Sequence, residues 1–419
     1  MKSKYFGGLI GLIGLTISSL ISTTTNGQEI KTSTLTDSLV TVAESSKSRN
    51  SKWYETISLR GYTQVRYNRL LETNPNLGCE QCDRSWGENG GFFLRRGRLI
   101  LFGNVHERVY IYIQPDFASS ASSTGLHFMQ LRDAYFDLAL DKKKEYRLRF
   151  GQSKVPFGFE NMQSSQNRLA LDRNDALNSA VSNERDLGVF FFWAPDKTRK
   201  LFSELVSSGD KGSGDYGVFA FGAYNGQTAN RPEANNTLHA VSRLTYPFNI
   251  GKSQILEIGV QGYTGKYVVT SLTKNVVTTK GAEYKDQRAA ASLILYPKPF
   301  GIQAEYNVGT GPQYNPFNNT IEQKDLEGGY AQIFYKLKLK NQVILPFVKY
   351  QYYKGGKKHE LDARSYHVND FEMGFEWQPI KNFELVAIYT MSERRYEDAV
   401  LKNNLQKGNL LRLQAQFNF

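Results

Sequence analysis

Apolar and polar residues alternate with period two along most of this chain, most cleanly at its end. In Asn409–Phe419, Leu411, Leu413, Ala415, Phe417 and Phe419 fall on one side, and Leu410, Arg412, Gln414, Gln416 and Asn418 on the other. Such alternation predicts a β-strand with one apolar and one polar face. Left as an open edge, a strand like this invites aggregation. As the last stave of a closed barrel it pairs with the first, its apolar row toward lipid and its polar row toward a water-filled lumen.

Fifteen earlier segments read the same way. Thr56–Tyr67 sets Ile57, Leu59, Val65 and Tyr67 against Arg60, Tyr62, Gln64 and Arg66. Phe92–Gly103 carries Arg96 and Arg98, Glu107–Phe117 carries Arg108, Tyr110, Tyr112, Gln114 and Asp116, and Gln130–Leu140 carries Asp133, Tyr135 and Asp137. Glu145–Ser153 alternates Arg147 and Arg149 with Tyr146, Leu148 and Phe150. There follow Arg185–Ala194, Tyr216–Asn225, Leu238–Pro247, Gln254–Tyr267, Gln287–Tyr296, Phe300–Gly309, Glu327–Leu339, Gln342–Tyr353, His367–Gln378 and Asn382–Met391. Connections alternate between long and short, as in outer-membrane barrels with long external loops and tight periplasmic turns. One connection, Pro195–Asp215, is too long for its place as a turn, and a short excursion around Lys200–Val206 is expected there. The fold class is therefore all-β: a single sixteen-stranded antiparallel transmembrane β-barrel over residues 53–419, too wide to fill with its own side chains.

The amino-terminal segment changes the compartment. Met1–Gly27 has Lys2 and Lys4, then an apolar run to about Ile21, then a small polar tail, which is the order of a secretory signal peptide. Gln28–Lys52, rich in Ser, Thr and Lys, reads as a flexible periplasmic leader. No later stretch is long and apolar enough for a helical span, and an exported chain can still cross a membrane with strands.

The formal net charge is +12, or about +10 once Lys2 and Lys4 are removed (12 − 2). Basic chains meet nucleic acid, anionic membrane surfaces or anionic solutes. No compact Lys/Arg arm suggests nucleic acid, and the arginines sit at alternate strand positions, which favours a lined lumen. Arg60, Arg66, Arg96, Arg98, Arg108, Arg147 and Arg149 are the candidate anion path. Guanidinium groups lower the energy of an entering anion and grip phosphate or carboxylate with paired hydrogen bonds. Asp116, Asp133, Asp137 and Glu145 temper that field, and the bland alternative is a network that only satisfies buried charges. Tyr62, Tyr110, Tyr112 and Tyr135 fall on the same face and suggest a slide for sugars, while other aromatics suit interfacial belts.

Lys154–Glu184 is a long loop between strands, including Arg168 and Arg173, and a loop of this length usually has a task. Folding into the pore to narrow it is the expected one; a solvent-exposed lid is the alternative. Cys79 and Cys82, the only cysteines, form one C-x-x-C in the first long loop. A redox pair, half a zinc site and a local disulfide are all open to such a motif, and an exported Gly/Asn-rich loop favours the disulfide. No histidine stands in a nucleophile motif, so an enzyme is not expected, and neither a cofactor nor a metal site is indicated.

Four stretches resemble the phosphate-selective porins O and P of Gram-negative outer membranes, especially those of Bacteroidetes-like bacteria. They are Phe93-Leu94-Arg95-Arg96-Gly97-Arg98, Asp133-Ala134-Tyr135-Phe136-Asp137, Arg149-Phe150-Gly151-Gln152-Ser153-Lys154-Val155-Pro156-Phe157-Gly158 and Ser182-Asn183-Glu184-Arg185-Asp186-Leu187-Gly188-Val189. The resemblance implies a sixteen-stranded barrel, commonly a homotrimer, with an inward-folded loop at Lys154–Glu184, lumenal arginines and lysines at the constriction. Of such lysines this chain has only Lys154 near the start of that loop. The expected function is an outer-membrane porin for small hydrophilic solutes, anion-favouring with phosphate among them, in contact with outer-membrane lipid. A structural or adhesive barrel with a plugged pore is the alternative.

Overall fold

The computed structural model describes residues 52–86, 91–118, 128–251 and 253–419. The expected signal peptide, and all of the expected leader but Lys52, fall outside the described residues.

Sixteen staves close into one antiparallel barrel. They are β1 (Ile57–Leu70), β2 (Phe92–His106), β3 (Val109–Ala118), β4 (Phe128–Ala139), β5 (Tyr146–Lys154), β6 (Arg185–Trp193), β7 (Phe219–Tyr224) and β8 (His239–Ile250). The second half comprises β9 (Gln254–Val268), β10 (Glu283–Leu295), β11 (Phe300–Asn315), β12 (Thr320–Tyr335, prolonged by Leu337–Leu339), β13 (Gln342–Gly356), β14 (Ser365–Ile380), β15 (Phe383–Glu397) and β16 (Leu405–Asn418). Each expected strand finds its counterpart. Closure is by β1 against β16, in register from Tyr62↔Asn418 to Tyr67↔Leu413.

The alternation has the expected physical outcome. On β16, Arg412, Gln414 and Gln416 are buried inside, while Phe417 and the following Phe419 are exposed outside. Large apolar side chains such as Leu59, Leu101, Phe136, Val260, Val308 and Phe375 are exposed on the outer face. A belt of this kind is stable only against hydrocarbon.

The closing seam depends on one glycine. Gly61 and Phe419 exchange backbone hydrogen bonds of 2.8 and 3.0 Å. A Cβ on Gly61 would stand 2.5 Å from both the Phe419 ring and the Arg98 carbonyl oxygen. Gly61→Val is expected to cost about 1–3 kcal/mol by overpacking. It should lower the temperature at which the barrel loses its compact, fast-migrating form on unheated gels; an unchanged transition would show that the seam tolerates the side chain.

Two connections differ from expectation. Residues 310–326, read as a loop, continue β11 and β12 as a hairpin, paired from Thr310↔Asp325 to Asn315↔Thr320. Lipid imposes the alternating pattern, and a hairpin standing above the membrane is free of it. At the short-turn end, Asp196–Ser207 forms a full helix where only a short excursion was expected. Its Thr198, Phe202 and Leu205 lie on one face, and Phe202 and Leu205 join Ile255, Ile294 and Tyr296 of the wall.

Candidate functional site: the lumen and its constricting loop

The loop between β5 and β6 folds into the barrel, as expected. Val155 N–H donates to the Glu184 carbonyl at 3.0 Å, so the loop's two ends are adjacent. Most residues between them are buried. Phe157, Ala176 and Leu177 pack against Val241, Tyr263 and Tyr353 of the far wall, and Phe159 reaches the cluster capped by the helix Asp196–Ser207.

Charge as well as packing seats the loop. Glu160 accepts from the Asn174 N–H at 2.7 Å and pairs with Lys349. The Phe159 and Glu160 amides donate to the Glu305 carboxylate at 2.6 and 2.9 Å. Asp172 takes Arg66 at 3.1 Å and Arg412 from the other side of the seam. Asp175 takes Arg394 at 2.9 Å and Lys357. In the external loop after β13, His359 Nε2 accepts from the Ser182 N–H at 3.2 Å. Burial, reinforced by the neighbouring Lys358 ammonium, holds the His359 imidazole well below its ordinary pKa, which keeps it neutral for that role.

Most of the expected lumenal arginines are inside and paired. Arg98 meets Asp116 at 2.7 Å, and Arg149 meets both oxygens of Asp137 at 2.7 and 2.9 Å. Arg147 reaches Asp215 at 2.9 Å, and Arg173 pairs with Glu184. Lys154 donates at 2.7 Å to the carbonyls of both Met162 and Gln163, so its ammonium fastens the loop. Arg108 is exposed in the turn between β2 and β3, outside the strand that was expected to hold it. Arg60 is exposed at the short-turn end, 5.4 Å from the Phe102 ring centroid.

Two of the expected residues stand apart. Arg96 donates to Gln64 at 3.0 Å and Arg168 to the Leu171 carbonyl at 3.2 Å, and neither forms an ion pair among the described residues. They are 4% and 6% exposed. Both face a cavity of about 230 Å³ on the long-loop side, lined also by Arg95, Arg98, Arg132, Arg173, Arg231 and Lys357. Its acids are Glu80, Asp116, Asp172, Glu184 and Glu360, so among the described residues eight cationic groups outnumber five carboxylates.

Arg95 and Arg132 escaped the alternation because bulges turn them. Asp133 pairs with Gln114 and Leu131 with Pro115, which leaves Arg132 over as the extra residue. Pro115 inside β3, unable to donate, was the readable signal. Arg95 is left over in the same way between Gln64↔Arg96 and Val65↔Leu94, with no comparable marker. The vestibule is roofed in part by the first long loop, where Cys79 and Cys82 form the favoured local disulfide. That loop is less irregular than expected, since Glu80–Ser85 forms a 3₁₀ turn. Gln81 donates to the Arg173 carbonyl at 3.2 Å.

Beneath the vestibule a hydrogen-bonded layer ties the loop to the wall. The Tyr62 hydroxyl meets the Ser165 hydroxyl at 2.6 Å and accepts from Arg98 at 2.7 Å. Gln114, buried, separates Asp116 above from Tyr112 below.

A family model for phosphate-selective porin O and P matches residues 78–419. The chain belongs to the phosphate-selective porin O and P family. Among solved structures it is similar to the outer membrane channel DcaP of Acinetobacter baumannii, at 15% identity and a TM-score of 0.53, covering 87% of this chain and 97% of that one. It is also similar to Salmonella typhi OmpF in complex with daunomycin, at 12% identity and a TM-score of 0.51, covering 87% and 97%. These likenesses are of fold. No curated protein matches the sequence. The porin is thus a Gram-negative outer-membrane barrel, and family and fold point to a channel rather than an enzyme.

Proposed function

We propose that this porin passes small hydrophilic solutes with a preference for anions, phosphate among them. The carrying observation is the pair Arg96 and Arg168, buried at the vestibule with no ion-pair partner among the described residues. A buried cation outside any ion pair is costly, and an entering anion relieves that cost. The paired arginines hold the wall's shape, and weak stations of both kinds suit a channel that must release what it binds. Export by the segment Met1–Gly27 and assembly as a homotrimer belong to the same reading.

The test is a single-channel recording in a planar bilayer under a KCl gradient. The reversal potential is expected on the chloride side, and added phosphate should reduce the current. Arg96→Gln with Arg168→Gln should move the reversal potential toward zero and weaken the phosphate effect about tenfold or more, the scale of losing one or two charge-assisted hydrogen bonds. A reversal potential on the potassium side would sink the reading. A second reading, a plugged barrel with a structural role, draws support from the burial of most of the loop, and absence of any conducting steps would favour it.

A further inference from the structure

The lumen is filled unevenly. On the far wall, inward residues such as Arg243, Glu257, Tyr263, Gln303, Tyr330 and Lys349 are buried beneath the loop and the helix. Below the Gln114 layer, on the near wall, Tyr110, Tyr112 and Tyr135 stay only half-buried, as does Tyr216 from the segment after the helix, and Arg60 is exposed. The residual passage toward the short-turn end therefore runs along β1–β5.

These tyrosines form a built surface. Tyr112 and Tyr135 are direct cross-strand partners, their rings stacked at 5.2 Å and 13°. The Arg149 guanidinium lies 3.9 Å from the Tyr135 ring centroid and 5.8 Å from that of Tyr216, with its charge held by Asp137. The stack fixes the rings and leaves their edges toward the lumen. Tyr112 donates to Gln114 at 3.0 Å, while the hydroxyls of Tyr110, Tyr135 and Tyr216 have no protein partner among the described residues. Fixed hydroxyls between apolar ring edges match a solute with hydroxyls and C–H flanks on one rigid ring. A bare inorganic anion gains little there, since it offers the ring edges no C–H flank.

We propose that this lower lumen is a sugar-binding subsite, and that the solute this porin holds best is a phosphorylated monosaccharide rather than inorganic phosphate. The proposal rests on the anion-favouring reading above. Two residues along a strand span about 7 Å, so a phosphate at the Gln114 layer, between the Arg98–Asp116 and Arg185–Asp133 ion pairs, places its sugar among the tyrosines. The vestibule draws the charged end, and the tyrosines retain the ring.

The test compares glucose 6-phosphate, inorganic phosphate and glucose as blockers of KCl current through the reconstituted porin. Glucose 6-phosphate should halve the current at a concentration about tenfold below that of phosphate, the effect of one or two net hydrogen bonds. In the isosteric triple variant Tyr110→Phe, Tyr135→Phe, Tyr216→Phe, that advantage should vanish while the phosphate value stays put. Equal block by the two anions in the unaltered porin, or an advantage that survives in the variant, would overturn the subsite. The reversal potential from the same bilayers reports separately on anion preference: chloride-side reversal with equal block removes the sugar subsite alone, whereas potassium-side reversal removes the anion reading beneath it.

Discussion

Replacing residues 159–181 with a short Gly/Ser linker is expected to raise single-channel conductance about threefold or more, because a sixteen-stranded barrel without a plug leaves an open aqueous lumen. The cut is geometrically mild. Lys154 pairs with Arg185 across the ladder and Val155 bonds to Glu184, so the loop's ends already meet. Removal takes out Glu160, Asp172 and Asp175 along with Arg168 and Arg173, a net loss of one negative charge. More consequential are the cations left behind. Lys349 loses Glu160, Arg66 and Arg412 lose Asp172, and Arg394 and Lys357 lose Asp175. The widened lumen is then lined by cations stripped of these carboxylates, so chloride preference should persist or grow. Discrimination among solutes by size should disappear, since the layer at Tyr62 and Ser165 is gone. Conductance that stays at the parent value would mean that something other than this loop sets the pore.

The barrel was legible because lipid on one side and water on the other impose a single period over each crossing. The inward positions of Tyr62, Arg66, Arg96, Arg98, Asp133 and Arg149 all came from that period. Where the period fails, the reading failed with it. Arg132 and Arg95 sit at bulges, each of which adds one residue and reverses the parity of the rest of its strand. The hairpin over residues 310–326 stands outside the hydrocarbon and has no reason to alternate. The helix Asp196–Ser207 obeys a different rule, and its three inward residues are too few to announce twelve helical positions. The loop's inward fold was readable from its length and from the resemblance. Its anchors were not, because Glu160 and Lys349 lie 189 residues apart and Asp175 and Arg394 lie 219 apart. Nothing in a local pattern records which carboxylate will meet which cation across a lumen. This is also why Lys154, which the sequence places near the constriction, proves to hold the loop's own carbonyls.

Asp175→Ala is expected to unseat the loop while leaving the barrel closed. Asp175 is fully buried, and its carboxylate joins two elements that the sequence keeps far apart, β15 through Arg394 and the loop after β13 through Lys357. Its amide also donates to Gln351 at 2.8 Å, a bond the alanine keeps. Removing one partner of a buried pair strands the other, at a cost of about 3–5 kcal/mol. The lower end applies here, since Arg394 retains Asp370 and Lys357 retains Glu360 at 3.6 Å. The penalty falls on the loop's seat and not on the wall, whose ladder between β14 and β15 runs unbroken from Ser365 to Trp377. The variant should therefore keep its heat-resistant compact form on gels. It should gain trypsin cleavage after Arg168 or Arg173 and show noisier open-channel current. Asp175→Asn keeps the shape and removes the charge, and should fall between the two. A barrel that melts earlier with no new cleavage would mean that Asp175 braces the wall, and a loop that remains protected and quiet would mean that packing of Phe157, Ala176 and Leu177 seats it unaided.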